Sequence, residues 1–202
     1  MNLQELNFKN PDCKAAMQTL LSIPDELKKL ENERAKINRE HKGDKLKGEL
    51  QRISDRKREL ENTRRTTVQS LQDKLLSTIT TRREAAEKLG AASTLDTEAI
   101  TPDYQFLSLP VKLTQSELQQ LHARNWGNVL FARAVKDYAY KQGYTSATFE
   151  SPYQTAEKRI QSAIDQIAYY TGGTMAEQLP CHLNIVQQWD SDISDALESV
   201  GG

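Results

Sequence analysis

Few residues in this sequence are of types and spacings that do chemistry. Cys181-His182 is the most chemically suggestive neighbour pair. Adjacent side chains on a helix point about 100° apart, so the two do not automatically share a site. The simpler expectation is a partly buried Cys181 and a His182 at a helix start. The other histidines, His41 and His122, lie far from it. Carboxylate pairs such as Glu59 and Glu61 fall on a charged face and are expected in solvent. The sequence holds no Walker-type phosphate loop, Gly-x-Gly-x-x-Gly turn, Gly-x-Ser-x-Gly elbow or His-Glu-x-x-His zinc pair. These observations predict a non-enzyme with no catalytic, cofactor-binding or metal-binding residues.

The remaining candidates are basic. Arg56-Lys57-Arg58, Arg64-Arg65 and Arg82-Arg83 could follow a phosphate backbone. However, Asp55, Glu59, Glu61, Asp73 and Glu84 are interleaved with them, and no aromatic residue is nearby to stack on a base. A solvated helix face accounts for them better. The least balanced stretch is 61–70, which makes Arg64 and Arg65 the candidate nucleic-acid contacts. Nucleic acid is a possible partner but not the favoured one.

What would position such residues is helix. Apolar residues make up 37% of the 202, charged residues 27%, and mean hydropathy is −0.70. A chain this polar cannot fill one large core, but it can be ordered as long helices burying a stripe. Net charge is −1, unevenly spread: residues 24–90 hold 18 Lys/Arg against 13 Asp/Glu, and residues 91–202 hold 7 against 13. The widely separated Cys13 and Cys181 argue against a disulfide framework and for a reducing compartment. The start shows no signal-peptide pattern, and no run approaches the ~20 apolar residues of a membrane span. No membrane partner is expected.

Along the chain the reading is all-α in four parts. Residues 1–23 form a short N-terminal helix or arm, with Pro24 as punctuation. Residues 24–90 form a long charged helix, coiled-coil-like or an asymmetric hairpin. Its seam is Leu46, Leu50, Ile53 and Leu60, continuing in a shifted register through Val68, Leu71, Leu75 and Ile79. Gly43 either ends one helix, so that 25–41 fold back on 45–61, or sits inside a continuous one at a cost of about 1 kcal/mol. The pattern slightly favours the continuous or gently kinked helix. Residues 91–111 read as a linker whose run Tyr104, Phe106, Leu107 and Leu109 could be a small strand or extended segment. Residues 112–202 read as a small helical domain anchored by Leu118, Leu121, Trp126, Leu130, Tyr138 and Trp189. Its helices begin at a Thr114/Glu117 capping box, near Val129, near Thr155 and near Cys181.

A seam this long and narrow needs another helix to cover it, from the same chain or another copy. That points to protein–protein interaction and to a homo-oligomer.

Within 112–144, Leu113-Thr114 with Glu117, the break at Asn125 and Asn128, and Arg133-Ala134 followed by Tyr138-Ala139 form a pattern. It resembles a segment of structural proteins of tailed bacteriophages infecting Gram-positive hosts. The resemblance implies a head-assembly role, as a scaffolding or capsid-associated protein in the host cytoplasm or the virion. In that role the protein would bind itself or a larger phage assembly. An adaptor or inhibitor that binds one host protein, of the anti-defence type, is the alternative. A nucleic-acid-binding protein using the Arg-rich helix stands third.

Overall fold

The computed structural model describes residues 7–93, 102–125, 128–144, 149, 151–173, 175–178 and 183–201. Among these every regular element is helical: α1 (Pro11–Glu40), α2 (Gly43–Ser93), α3 (Tyr104–Ser108), α4 (Gln115–Arg124), α5 (Val129–Lys141), α6 (Pro152–Tyr170), α7 (Met175–Gln178) and α8 (Leu183–Glu198). By contacts the chain divides into two units, neither of them a continuous stretch. Unit 1 is Met1–Leu76 with Arg159–Asp195, and unit 2 is Ser77–Lys158 with Ala196–Gly202.

In unit 1, α1 starts at Asn10, whose Oδ1 accepts from Cys13 N at 2.9 Å, with Pro11 in the first turn. The helix does not end at Pro24. The proline forfeits one backbone hydrogen bond, but it is buried beside Leu20, Leu21 and Ile23, and packing over that turn offsets the loss. Nor does the chain run on as one helix past residue 40. His41 caps α1 in an extended conformation, its N–H donating to Ile37 O at 3.0 Å, and Gly43 at φ +65° opens α2. The two helices form an antiparallel hairpin. Lys74 pairs with Asp12, Arg56 with Glu26 and Arg52 with Glu33, the numbers rising on one helix as they fall on the other.

Magnitudes explain why the hairpin wins. Folding back buries Ile37, Ile53 and Leu60, each worth about 1.5–3 kcal/mol, against the roughly 1 kcal/mol that weighs on a helical glycine. A Cβ on Gly43 would meet nothing within 4 Å, so Gly43→Ala carries only the left-handed backbone penalty. We expect a loss of about 1–2 kcal/mol in urea denaturation, and a smaller loss for Gly43→Asn.

α6 lies antiparallel to α2: Arg64 Nη1 donates to Ala168 O at 3.1 Å, and Gln72 Nε2 to Gln161 Oε1 at 2.8 Å. α8 joins α6 through Trp189 Nε1, which donates to Gln166 Oε1 at 3.0 Å, and joins the start of α1 through Asp190. Four helices therefore enclose the core of unit 1, where Met17, Leu20, Leu75, Ile160, Ile167, Trp189 and Ile193 are almost fully buried. The apolar steps of three and four on each helix are what permit this.

In unit 2, α4 begins at the Thr114 capping box. Thr114 Oγ1 accepts from Glu117 N at 3.3 Å, and Glu117 Oε2 accepts from Thr114 N at 2.7 Å. Asn128 caps α5 by accepting from Phe131 N, and Gly143 at φ +79° follows its end. α6 starts three residues before the expected Thr155, at a second reciprocal cap: Ser151 N donates to Gln154 Oε1 and Gln154 N to Ser151 Oγ. The 104–109 run is a helical turn rather than a strand. Tyr104 and Leu107, three apart, pack on the α4–α5 core of Leu118, Leu121, Phe131 and Val135, while Phe106 and Leu109 face outward. Tyr104 meets Phe131 edge-on at 4.9 Å. The tyrosine hydroxyls lace down the segment before α4: Tyr138 donates to Val111 O and Tyr144 to Leu113 O.

Candidate functional site

The expected seam residues occupy two settings. Ile53, Leu60, Val68, Leu71 and Leu75 are buried in unit 1, and Ile79 is buried in unit 2. Leu46 and Leu50 are only half-buried, as are Leu27 and Leu30 on α1. This is what two helices alone can do. Each covers one side of the other's apolar stripe and leaves the flanks open to water.

Along this distal part of the hairpin, roughly residues 25–60, acids of α1 brace cations of α2. Arg56 Nη2 lies 3.2 Å from Glu26 Oε2, Lys57 Nζ 3.2 Å from Glu31 Oε1, and Arg52 pairs with Glu33. Arg52 and Arg56 are held a second time from within α2, by Glu49 at 3.0 Å and Glu59 at 2.9 Å. These pairs are largely exposed, so solvent screens them and they add little to stability. Their main effect is to set the register of the hairpin.

Closer to the start of α1, the groove between α1 and α2 widens into an open cleft of about 400 Å³. It is lined by Asp12, Ala15, Ala16, Thr66, Thr67, Ser70, Leu71 and Lys74. The Asp12–Lys74 pair bridges it at 3.1 Å. Its hydroxyls have no histidine in the lining to activate them.

The arginines proposed for nucleic acid behave differently from each other. Arg64 Nη1 caps the last turn of α6 at Ala168 O, and its Nε binds both Glu61 oxygens at 3.0 and 3.1 Å. Its hydrogen bonds first, and its charge second, hold the Glu61 carboxyl below the usual range. A Cβ on Gly172 would sit 3.3 Å from Arg64 Nη1, so that glycine makes room for the guanidinium. Arg64 is a structural residue, whereas Arg65 is exposed. In unit 2 Arg82 repeats the device, donating to Leu197 O at the end of α8 at 2.6 Å.

No protein-family model matches the chain, and no curated protein or solved structure matches it.

Among the anchors expected in the C-terminal half, Leu118 and Leu121 are buried and Leu130 and Tyr138 half-buried in unit 2, whereas Trp189 is buried in unit 1. Trp126, Cys181 and His182 lie outside the described residues. The side chain the sequence reading missed is Asp190. It is buried within an acid-rich stretch and accepts Lys9 N–H at 2.6 Å and Asn10 N–H at 3.1 Å. Burial, then the nearby Asp190 charge and hydrogen bond, push the Cys13 thiol up to about 12, which leaves it a poor nucleophile at neutral pH.

Among the described residues no three His, Cys, Asp or Glu side chains converge as a metal site would require, and no helix is long and apolar enough to cross a membrane. His122 is buried against Phe149, with ring centroids 5.6 Å apart. Burial first, and the Lys136 charge second, push it below the usual 6.5. The unfolded chain therefore takes up a proton near pH 6.5 that the folded chain resists, and stability declines as pH falls below that value. We expect the urea midpoint to drop between about pH 7.5 and 5.5, and His122→Gln to remove most of the difference that a histidine contributes.

Proposed function

We propose that this chain is a non-enzymatic helical docking protein of the virion-assembly kind, scaffolding or capsid-associated, that engages a larger protein assembly through the distal part of its α1–α2 hairpin. The observation that carries this reading is the contrast between the α2 seam and the leucines of both helices of the hairpin. Its seam from Ile53 to Leu75 is buried within unit 1, whereas Leu27, Leu30, Leu46 and Leu50 keep flanks in water at fixed register. A rigid, braced pair of helices with open leucine flanks suits helix-on-groove recognition. The resemblance of residues 112–144 to phage structural proteins supports the assembly setting.

Co-sedimentation tests it. Expressed together with shell-forming proteins from the same gene neighbourhood, the chain should pellet with the particles, and Leu30→Ser with Leu50→Ser should leave it in the supernatant. A stable one-to-one complex with a host protein and no association with particles would support the adaptor reading instead.

Self-association is the second reading, because the same four leucine flanks could be covered by another copy. It then makes the chain a homo-oligomer joined at the hairpin ends, since the rest of the seam is already occupied by its own helices.

A further inference from the structure

The cations of the hairpin are not all braced. Arg52, Arg56 and Lys57 are clasped by acids across the helix pair. At the turn the balance changes. Residues 34–47 hold six Lys/Arg against two Asp/Glu. Lys36 and Lys47 make only loose contacts within their own helices, to Glu40 at 4.0 Å and Asp44 at 3.6 Å. Arg34, Arg39, Lys42 and Lys45 are exposed and make no ion pair among the described residues. We propose that this hairpin tip is a sequence-independent binding site for the phosphate backbone of nucleic acid.

Three features favour a polyanion over other partners. A protein interface is built on apolar and aromatic anchors and is depleted in lysine, whereas the tip has four lysines and no Phe, Tyr or Trp. Insertion into a membrane surface needs an outward apolar face, but Ile37 is buried and Leu46 half-buried. The geometry suits phosphates. Packed helices lie about 8–10 Å apart, so cations from the end of α1 and the start of α2 fall within reach of several phosphates on a duplex carrying one charge per ~1.7 Å. With no Phe, Tyr or Trp and with His41 half-buried, the tip offers no platform for base stacking, and contacts to phosphate alone carry no sequence information. This site is distinct from Arg64, which the fold has already committed, and it does not depend on the docking proposal above.

The test uses the intact chain and a labelled random-sequence DNA duplex one to two turns long, with binding followed by fluorescence anisotropy across a salt series. About four phosphate contacts predict that log affinity falls against log salt with a slope of roughly −4. Lys42→Glu with Lys45→Glu should weaken binding at least about tenfold near 50 mM salt. Neither change should harm folding: Lys42 lies in the turn, and an acid at residue 45 suits the first turn of α2. Arg58→Glu with Arg65→Glu, equal in charge and also exposed, should leave affinity within about twofold once the tip supplies the contacts. No binding at low salt, or equal loss from both double variants, would overturn the proposal, the latter by showing that bulk charge alone is felt. Binding to anionic vesicles with none to duplex would also overturn it, in favour of a membrane-surface role.

Discussion

Trp189→Ala is expected to cost about 3–5 kcal/mol, the range for emptying a fully buried aromatic site. Trp189 is 0% exposed, packs against Tyr170 with ring centroids 5.8 Å apart, and donates its indole N–H to Gln166. Truncation leaves a cavity between α6 and α8 and removes the partner of a part-buried amide oxygen. For a chain of this length the thermal midpoint should fall by roughly 10 °C. Trp189→Phe separates the two losses. It keeps most of the packing and forfeits the hydrogen bond, so a loss nearer 1–2 kcal/mol is expected. Equal losses for the two variants would mean that the indole hydrogen bond, not the packing, dominates.

The second large effect is at Asp190. Its carboxylate ties the start of α1 to α8 by accepting two backbone N–H groups, those of Lys9 and Asn10. Asp190→Ala strands both donors in a buried place, for a loss of about 3 kcal/mol. Asp190→Asn keeps one acceptor oxygen and should lose about half as much. The Cys13 thiol gives an independent readout. In the native chain it is buried, and Asp190 helps hold it protonated, so modification by a disulfide reagent waits for local opening. Both substitutions remove the charge that opposes ionisation, but only Asp190→Ala also frees the start of α1, so labelling should accelerate beyond what Asp190→Asn produces. The same thiol sets an alkaline limit. It ionises near pH 9 in the unfolded chain but only near 12 in the folded one, so its contribution to stability is complete below pH 9 and shrinks as pH rises through that window.

What could be read in advance follows from the range over which each interaction acts. Local signals were legible. The Thr114/Glu117 box opens α4, Gly143 follows α5, and the three- and four-residue apolar steps of Ile160, Ala163, Ile164 and Ile167 mark the buried face of α6. The cap at Ser151-Pro152-Tyr153-Gln154 was equally local, a reciprocal box with proline in the first turn, and it places the start of α6 ahead of Thr155. The hairpin was not decidable this way. A glycine after a helix end looks the same whether the chain turns or continues. The deciding terms are the burial of Ile37, Ile53 and Leu60 and the ion pairs between residues far apart in sequence. For the same reason Pro24 looked like a stop and lies inside a helix. Arg64 reads as a free cation because Ala168 lies 104 positions away, and nothing near Asp190 in sequence announces its burial because its partners, Lys9 and Asn10, are at the far end of the chain.

The central claim is that the long seam is satisfied within one chain, leaving only the hairpin flanks for a partner. Light scattering on the intact protein over a wide concentration range tests this most directly. The account predicts a single species of 22.9 kDa throughout, unchanged by Leu30→Ser with Leu50→Ser. A dimer that forms with concentration and persists in that variant would contradict it, because the copies would then be joined through the seam itself; a dimer that dissolves in the variant would select the self-association reading.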